Sequence, residues 1–123
     1  MSDTLALPRD TSLPAPALVW CPFPDSASAT TVIDRLLDEG LIACANILPG
    51  MVSRFVWRGE RGESAEAGAL LKTNVAVLEA VVARLAALHP YEQPTILGWA
   101  CDAATPVTAA WLGGLAGIGR GAS

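Results

Sequence analysis

The sequence predicts a single α+β domain in which two helices cover the same face of one sheet. Its 123 residues fit one domain, and 52% of them are apolar, which is enough to bury a core. Along the chain, segments with the apolar spacing of strands alternate with segments that have the spacing of helices. One strand-like stretch, residues 42–57, is too long to belong to one small sheet alone. Together these three observations predict the fold class.

The first predicted strand and helix follow an N-terminal arm. Residues 1–16 contain three prolines and have no regular apolar spacing, so we expect a flexible arm. Ala17–Cys21 is a short apolar run followed by two prolines, which predicts a buried central strand that ends abruptly. Asp25 or Ser26 can cap the next helix, and Gly40 can end it. The apolar positions of this helix, at i, i+3, i+4, i+7 and i+8, are Ala29, Val32, Ile33, Leu36 and Leu37.

The stretch Ile42–Trp57 predicts a strand that projects beyond its own sheet. At about 3.3 Å per residue it would span roughly 50 Å, whereas a domain of this size has a radius of gyration of about 13 Å. The projecting N–H and C=O groups then need a partner chain. Pro49 and Gly50 interrupt the stretch, because proline cannot donate to a ladder and glycine tolerates the φ values of a bulge. We therefore interpret the stretch as part of a long hairpin that is shared between subunits.

The second helix is expected after this hairpin. Residues 59–62 contain two glycines and are predicted to turn the chain, which returns as a strand over Glu66–Thr73. Asn74 is a plausible N-cap for the helix, and His89 with Pro90 ends it. The apolar stripe of this helix consists of Leu78, Val81, Val82, Leu85 and Leu88.

The last predicted elements are a fourth strand over Thr95–Cys101 and a short C-terminal helix over Val107–Leu112. Residues 113–123 are too rich in glycine to hold regular structure, so we expect a flexible tail and an ordered domain over residues 17–112. The order strand, helix, strand, strand, helix, strand is the split βαβ arrangement of a ferredoxin-like sandwich.

Composition and charge exclude several classes of protein. The formal charge of −4 argues against general nucleic-acid binding, which relies on Lys and Arg. No apolar run is long enough to span a membrane, and the first residues carry charges where a secretory signal needs apolar ones. The three cysteines are far apart and odd in number, which suits reduced thiols. We therefore expect a cytoplasmic protein that does not insert into membranes.

Three arginines lie close together in the long hairpin, at Arg54, Arg58 and Arg61. A solvated strand face followed by a turn explains them more simply than a site for an anion does. We therefore expect no nucleic-acid or other anion site from this cluster.

Five segments in a fixed order resemble one protein family. They are CPFPD at residues 21–25, LIACANILPG at 41–50, the tryptophan at 57, LKT at 71–73 and HPYEQP at 89–94. Over about Leu18–Leu112 the chain resembles the CutA family of divalent-cation tolerance proteins. The resemblance implies a ferredoxin-like subunit in an intertwined homotrimer, whose long hairpin completes sheets with neighbouring subunits. It also implies a role in the tolerance of divalent metals, particularly copper.

The chain departs from the family pattern at two positions. Arg58 stands where the family usually has a glutamate after the tryptophan, and Thr95 stands where it usually has another after the second proline of the HPYExP segment. Both changes remove a carboxylate from any site that uses these two acids.

Cys44, His89 and Cys21 are the candidate metal ligands. Thiolate and imidazole are the soft and borderline ligands that copper prefers, and His89 is the only histidine in the chain. Two alternatives stay open. His89 can instead finish a helix with its ring bonded to a carbonyl, and the two cysteines can be small buried hydrophobic residues. Cys101 is left outside the site.

A second candidate site is a cleft between subunits. Its predicted lining is Trp57, Glu66, Lys72, Tyr91 and Glu92. Aromatic walls with a Lys–Glu pair would suit a small anionic or polar ligand. Interface packing with one satisfied ion pair is the alternative.

Two functional hypotheses follow. In the first, a homotrimer acts in copper or divalent-cation homeostasis by binding metal. In the second, a trimeric scaffold or signalling module binds a small molecule or a protein partner in its clefts. Both assume that the strands Ile42–Arg58 and Glu66–Thr73 pair with other subunits. The chain has no CxxC, HExxH, Walker or dinucleotide-binding motif, so we expect neither an enzyme nor an organic cofactor.

Overall fold

The computed structural model describes residues 12–116. Residues 1–11 of the predicted arm and residues 117–123 of the predicted tail lie outside the described residues. Within this range the chain forms four strands and three helices. In order they are β1 (Pro16–Phe23), α1 (Ser26–Asp38), β2 (Cys44–Trp57), β3 (Glu60–Asn74), α2 (Leu78–Leu88), β4 (Leu97–Ala100) and α3 (Pro106–Gly113).

The four strands form one sheet in the order β2-β3-β1-β4. Each neighbouring pair is antiparallel, and α1 and α2 provide the two long connections. The predicted ferredoxin-like split βαβ arrangement is therefore confirmed. β3 and β1 occupy the centre of the sheet, while β2 and β4 form its two edges.

The hydrophobic core lies between the sheet and the two long helices. β1 contributes alternate residues to it, including the fully buried Val19, Cys21 and Phe23. On α1 four of the five predicted core positions are buried, but Leu37 is 40% exposed. On α2 the fully buried residues are Val81 and Leu85. Helical periodicity therefore identified the buried faces, but Leu37 of α1 is exposed, and Leu78, Val82 and Leu88 of α2 are only partly buried.

β1 is longer than the sequence predicts. It begins at Pro16 and continues through Pro22 to Phe23, so Pro22 does not end it and the strand stops just before Pro24. Pro22 pairs with Gly68 of β3, but β4 pairs only with residues 17–20 of β1. The missing N–H of Pro22 therefore costs no hydrogen bond to β4.

Both ends of α1 are capped by the residues that the sequence nominated. The side chain of Asp25 accepts a hydrogen bond from the backbone N–H of Ser28 at 2.8 Å, which identifies Asp25 rather than Ser26 as the N-cap. At the other end, Gly40 has a φ of 68°. Its N–H donates to the carbonyl of Leu37, and the next N–H, of Leu41, donates to that of Leu36. This is the left-handed helix ending that glycine favours.

Asn74 is not the N-cap of α2, contrary to the sequence prediction. It is the last residue of β3, and the residue that precedes α2 is Val77, which makes no side-chain cap bond. The Asn74 side chain still accepts from the backbone N–H of Ala76 at 2.9 Å. Its amide nitrogen donates to the carbonyls of Leu112 and Leu115. The buried amide therefore ties the end of β3 to α3 instead of starting α2.

The hairpin turn is tighter than predicted. β2 ends at Trp57 and β3 begins at Glu60, directly opposite it, so only Arg58 and Gly59 form the turn. Their φ values are 53° and 81°, the two positive values of a type I′ turn, whose twist matches that of the flanking strands. The returning strand is therefore longer than the predicted Glu66–Thr73. The predicted interruption is confirmed, since the register shifts between Leu48 and Met51.

The C-terminal elements are shifted by one or two residues. β4 covers Leu97–Ala100 rather than Thr95–Cys101, and α3 begins at Pro106, with the side chain of Thr105 capping it. Gly113 is the last residue of α3 and is buried, so α3 extends one residue beyond the predicted domain end. Among residues 12–116, no helix is both long and apolar enough to cross a bilayer.

Candidate functional site

The hairpin continues past the end of the sheet as a two-stranded ribbon. β1 pairs with β3 only over residues 67–74, so residues 51–57 and 60–66 pair solely with one another. We call residues 51–66 the ribbon. Several of its apolar side chains are solvent-exposed, including Val52 (64%), Val56 (67%) and Trp57 (54%). The projection predicted from strand length is therefore present.

The sheet face opposite the helices carries a second exposed apolar surface, which we call the open face. Leu18 and Trp20 of β1 lie on it, directly opposite Trp99 and Leu97 of β4. Leu97 is 58% exposed and Trp99 is 45% exposed. The Trp20 ring lies so close to Gly68 of β3 that no larger side chain fits there. Side chains on this face are therefore large and uncovered.

A cleft of about 490 Å³ lies between the ribbon and the loop that connects α2 to β4. Three aromatic side chains line it, those of Phe55, Trp57 and Tyr91. Glu66 provides a carboxylate, and the Tyr91 hydroxyl donates a hydrogen bond of 2.7 Å to it. Burial and the adjacent carboxylate raise the pKa of Tyr91 to about 12, so the hydroxyl keeps the proton that it donates. Thr95, one of the two departures from the family pattern, also lines the cleft.

His89 lies beside this cleft with both ring nitrogens already engaged. Nδ1 accepts from the backbone N–H of Tyr91 at 3.0 Å, so the ring proton lies on Nε2, which donates to the carbonyl of Pro22 at 2.8 Å. The ring stacks on Phe23 with centroids 4.4 Å apart. Burial lowers the pKa of His89, although the Pro22 carbonyl and Glu66 act in the opposite direction. The neutral ring therefore has no free lone pair for a metal in this arrangement.

The sheet separates the two candidate cysteine ligands. Cys21 pairs with Ala69 of β3, whereas Cys44 pairs with Lys72, three residues further along the same strand. Because side chains alternate between faces, Cys21 points into the core and Cys44 lies on the open face. Burial, followed by the charge of Glu66, raises the pKa of the Cys21 thiol to about 12. A thiol of this kind is not the thiolate that metals bind.

The predicted copper ligands therefore do not fit a metal site within one chain. Residues 12–116 contain no group of three or more His, Cys, Asp or Glu side chains placed to hold a metal ion. His89 is instead a hydrogen-bonded helix end, and Cys21 is a buried apolar residue. These are the two alternatives that the sequence left open. Cys44 is partly exposed and can still meet a ligand from outside its own chain.

Three of the five predicted cleft residues meet in the cleft, namely Trp57, Glu66 and Tyr91. Lys72 is six residues from Glu66 along β3, or about 20 Å, so the predicted Lys–Glu pair does not form in this chain. Glu92 lines a neighbouring depression together with Arg58, whose guanidinium lies 5.5 Å from the Trp57 ring centroid.

Sequence reasoning missed several lining residues of the cleft. Phe55 shares the strand period and the face of Trp57, so the alternation along the hairpin was a usable signal for it. Ser64 pairs with Ser53 across the ribbon, and Gln93 belongs to the loop after α2. Predicting these residues requires the register of the hairpin and the path of the loop, and the sequence shows neither.

Comparison with known proteins identifies relatives over most of the chain. Residues 17–114 match the family described as CutA1 divalent ion tolerance protein. A divalent-cation tolerance protein CutA from Salmonella newport is 37% identical over 89 residues, which are 72% of this chain and 77% of the relative.

Solved structures agree with this match. CutA from Xylella fastidiosa superposes with a TM-score of 0.76 at 34% identity, covering 80% of this chain and 94% of that one. CutA1 from Pyrococcus horikoshii superposes with a TM-score of 0.73 at 36% identity, covering 78% and 93%.

Proposed function

Because the chain belongs to the CutA1 divalent ion tolerance family, we propose that it acts in divalent-cation tolerance as a non-catalytic homotrimer in the cytoplasm, with copper as a metal that it contacts. The observation that carries the trimer is the pair of exposed apolar surfaces, the ribbon and the open face. An isolated two-stranded hairpin is at best marginally stable in water, and this one exposes Val52 and Val56 on one of its faces. A second copy of the chain that packs on the hairpin would remove this exposed apolar surface from water.

The sheet edges limit how the copies can pair. β3 is paired with β1 over residues 67–74 and with β2 over residues 68–72, so most of the strand Glu66–Thr73, which the sequence analysis expected to pair with other subunits, already has a partner on both sides. The free edges belong to β2, to β4 and to the ribbon part of β3, residues 60–66, which β1 does not reach. We therefore assign the pairing between subunits to these three edges.

The two different surfaces are compatible with a ring of subunits. A contact between the ribbon of one copy and the open face of the next is heterologous, and heterologous contacts form a ring when the rotation between copies closes and an open filament when it does not. The resemblance to the family implies three copies in the ring. Such an interface should be large and obligate.

Metal contact is assigned to the assembly rather than to one chain. Cys44 is the one predicted ligand that lies on the open face, where a ring brings copies of the chain together. Thiolate sulfur is a ligand that selects Cu(I). In this proposal His89 and Cys21 hold the fold and do not contact the metal.

Native mass spectrometry tests both parts of the proposal. The full chain is measured under reducing conditions with and without Cu(I), Cu(II) and Zn(II). We expect a trimer that takes up Cu(I), loses most of this uptake in Cys44→Ser, and keeps it in the matched control Cys101→Ser. A monomer at micromolar concentration would contradict the trimer. Equal copper uptake by Cys44→Ser and the parent would contradict the role of Cys44.

A further inference from the structure

We propose that the cleft binds a small organic cation, an ammonium group attached to an aromatic or aliphatic body. This binding goes beyond the proposed role in metal tolerance and does not depend on Cys44. It uses the ribbon face that carries Phe55 and Trp57, so in the trimer the neighbouring copy covers the opposite face, which carries Val52 and Val56. Three features of the cleft carry it: the sign of its charge, the nature of its walls and the way that its carboxylate is held.

The charge inside the cleft is negative. Among the described residues that line it, Glu66 is the one charged side chain. Asp25 adds to this field, since its charge also acts on the Tyr91 hydroxyl. Of the nearby cations, Arg54 pairs with Glu63 at 3.7 Å, and Arg58 lies 5.5 Å from the Trp57 ring centroid and lines the neighbouring depression rather than the cleft. The ligand that complements this charge is a cation.

The walls are aromatic and apolar. Phe55, Trp57 and Tyr91 line it, and an ammonium within about 6 Å of the face of an aromatic ring is attracted by the ring quadrupole. The volume of about 490 Å³ falls within the range of small-molecule pockets. A bare metal ion would leave most of this volume unfilled.

The carboxylate of Glu66 is positioned before any ligand arrives. Tyr91 donates to Oε2, and within residues 12–116 no lysine or arginine forms an ion pair with Glu66. Tyr91 is itself held, because its backbone N–H donates to Nδ1 of His89. Oε1 is therefore available to accept from an ammonium, and a charge-assisted bond of this kind is among the stronger ones in proteins.

Two other classes of ligand fit less well. An anion would need Lys72, which lies about 20 Å along β3 from Glu66. A hard divalent cation such as Ca²⁺ takes six to eight oxygen ligands, and one carboxylate with a ring-lined wall does not supply them.

Three probes of nearly equal size test the charge preference. The full chain, in its native oligomeric state at pH 7.5, is titrated with 2-phenylethylamine, 2-phenylethanol and 3-phenylpropionate by isothermal calorimetry and by NMR. We expect the cation to bind at least about tenfold more tightly than the neutral alcohol, and the carboxylate to bind most weakly. Tightest binding of 3-phenylpropionate, equal binding of all three or no binding of the amine up to millimolar concentration would overturn the proposal.

A matched pair of variants locates the site. Glu66→Gln removes the charge and keeps an acceptor for the Tyr91 hydroxyl, whereas Glu63→Gln removes an exposed charge on the same strand that faces Arg54. We expect Glu66→Gln to weaken the binding of 2-phenylethylamine by about tenfold or more, with 2-phenylethanol unaffected. Glu63→Gln should bind all three probes as the parent does. Unchanged amine binding in Glu66→Gln would overturn the proposal. Light scattering on the same samples reports the oligomeric state separately, so failure of the trimer is distinguishable from failure of the cleft.

Discussion

His89 illustrates at the scale of one residue how a candidate ligand becomes a structural part. The residue is 7% exposed, and its ring stacks on Phe23 and connects the carbonyl of Pro22 with the backbone of Tyr91. The chain thereby joins the end of β1 to the loop that forms one side of the cleft. Protonation of Nδ1 would break the bond from Tyr91, because both ring nitrogens would then be donors.

This arrangement predicts an acid-sensitive free energy of unfolding. The pKa of His89 is lowered in the folded protein, so the unfolded chain binds more protons near the ordinary histidine pKa of about 6.5. The free energy of unfolding should therefore fall as the pH drops from roughly 7.5 to 5. Urea denaturation at a fixed protein concentration measures it. The pKa values of Asp25 and Glu39 are lowered as well, but these carboxylates titrate below this window.

The control for this prediction is His89→Gln, which cannot titrate. It should be less stable than the parent at pH 7.5 but vary less between pH 7.5 and 5. A parent whose free energy of unfolding stays constant or rises on acidification over this window would contradict the assigned role of His89.

At the scale of elements, local backbone conformation sets some features of the hairpin and tertiary packing sets others. The turn at Arg58 and Gly59 and the irregularity between Leu48 and Met51 both occur at residues with positive φ or beside them. Between these two points residues 51–57 pair with residues 60–66 in one continuous register. The open face begins at residue 67, where β3 starts to pair with β1. Close packing at Gly68 joins the two regions, since its neighbours are Trp20 of β1 and Met51 of β2.

Gly68→Ala should destabilise the protein through this contact. A Cβ at Gly68 would overlap the Trp20 ring and lie 2.9 Å from the Met51 sulfur, which forces one of them to move. Overpacking of this kind costs roughly 1–3 kcal/mol of the free energy of unfolding. Thermal and chemical denaturation measure the change.

Gly114→Ala is the matched control for Gly68→Ala. Gly114 has a φ of −78°, and the atoms nearest a new Cβ there are carbonyl oxygens 3.7 Å away. Its stability should be close to that of the parent. If Gly68→Ala were as stable as Gly114→Ala, the packing of Trp20 over β3 would not be as described.

At the scale of the whole molecule, the ribbon is the part that one chain cannot stabilise by itself. It lies beyond the reach of β1, and its Val52, Val56 and Trp57 side chains are exposed. Residues 44–48 and 67–74, by contrast, belong to the four-stranded sheet that packs on the helices. The assembly and the domain core therefore use different parts of the same hairpin.

Removing the ribbon should separate assembly from folding. A chain in which residues 49–67 are replaced by a two-residue Asn-Gly turn joins the paired residues Leu48 and Gly68 directly and keeps the paired strands of the core. We expect it to fold as a monomer, with a denaturation midpoint independent of protein concentration, whereas the parent's midpoint should rise with concentration. Light scattering and denaturation at two concentrations test this. If the shortened chain remained a trimer, the interface between subunits would have to lie outside the ribbon.

Much of the fold could be predicted because its causes are local. Apolar periodicity predicted both long helices, and the turn residues Asp25 and Gly40 bounded α1 where the structure has its caps. Length and β-propensity predicted the projecting hairpin. Asn74 was misassigned because its buried amide bonds to carbonyls about forty residues away, a partner that local sequence does not reveal.

The sequence by itself determined the order of the elements, the family and the existence of a long shared hairpin, because period, turn chemistry and motif order are properties of the chain. Only the tertiary structure decided which side chains meet. Cys21 and Cys44 are separated by a sheet, and Lys72 is remote from Glu66, because strand faces alternate and the register across β3 sets which face each residue joins. A one-residue change of register would reverse these placements, and no local pattern in the chain specifies it.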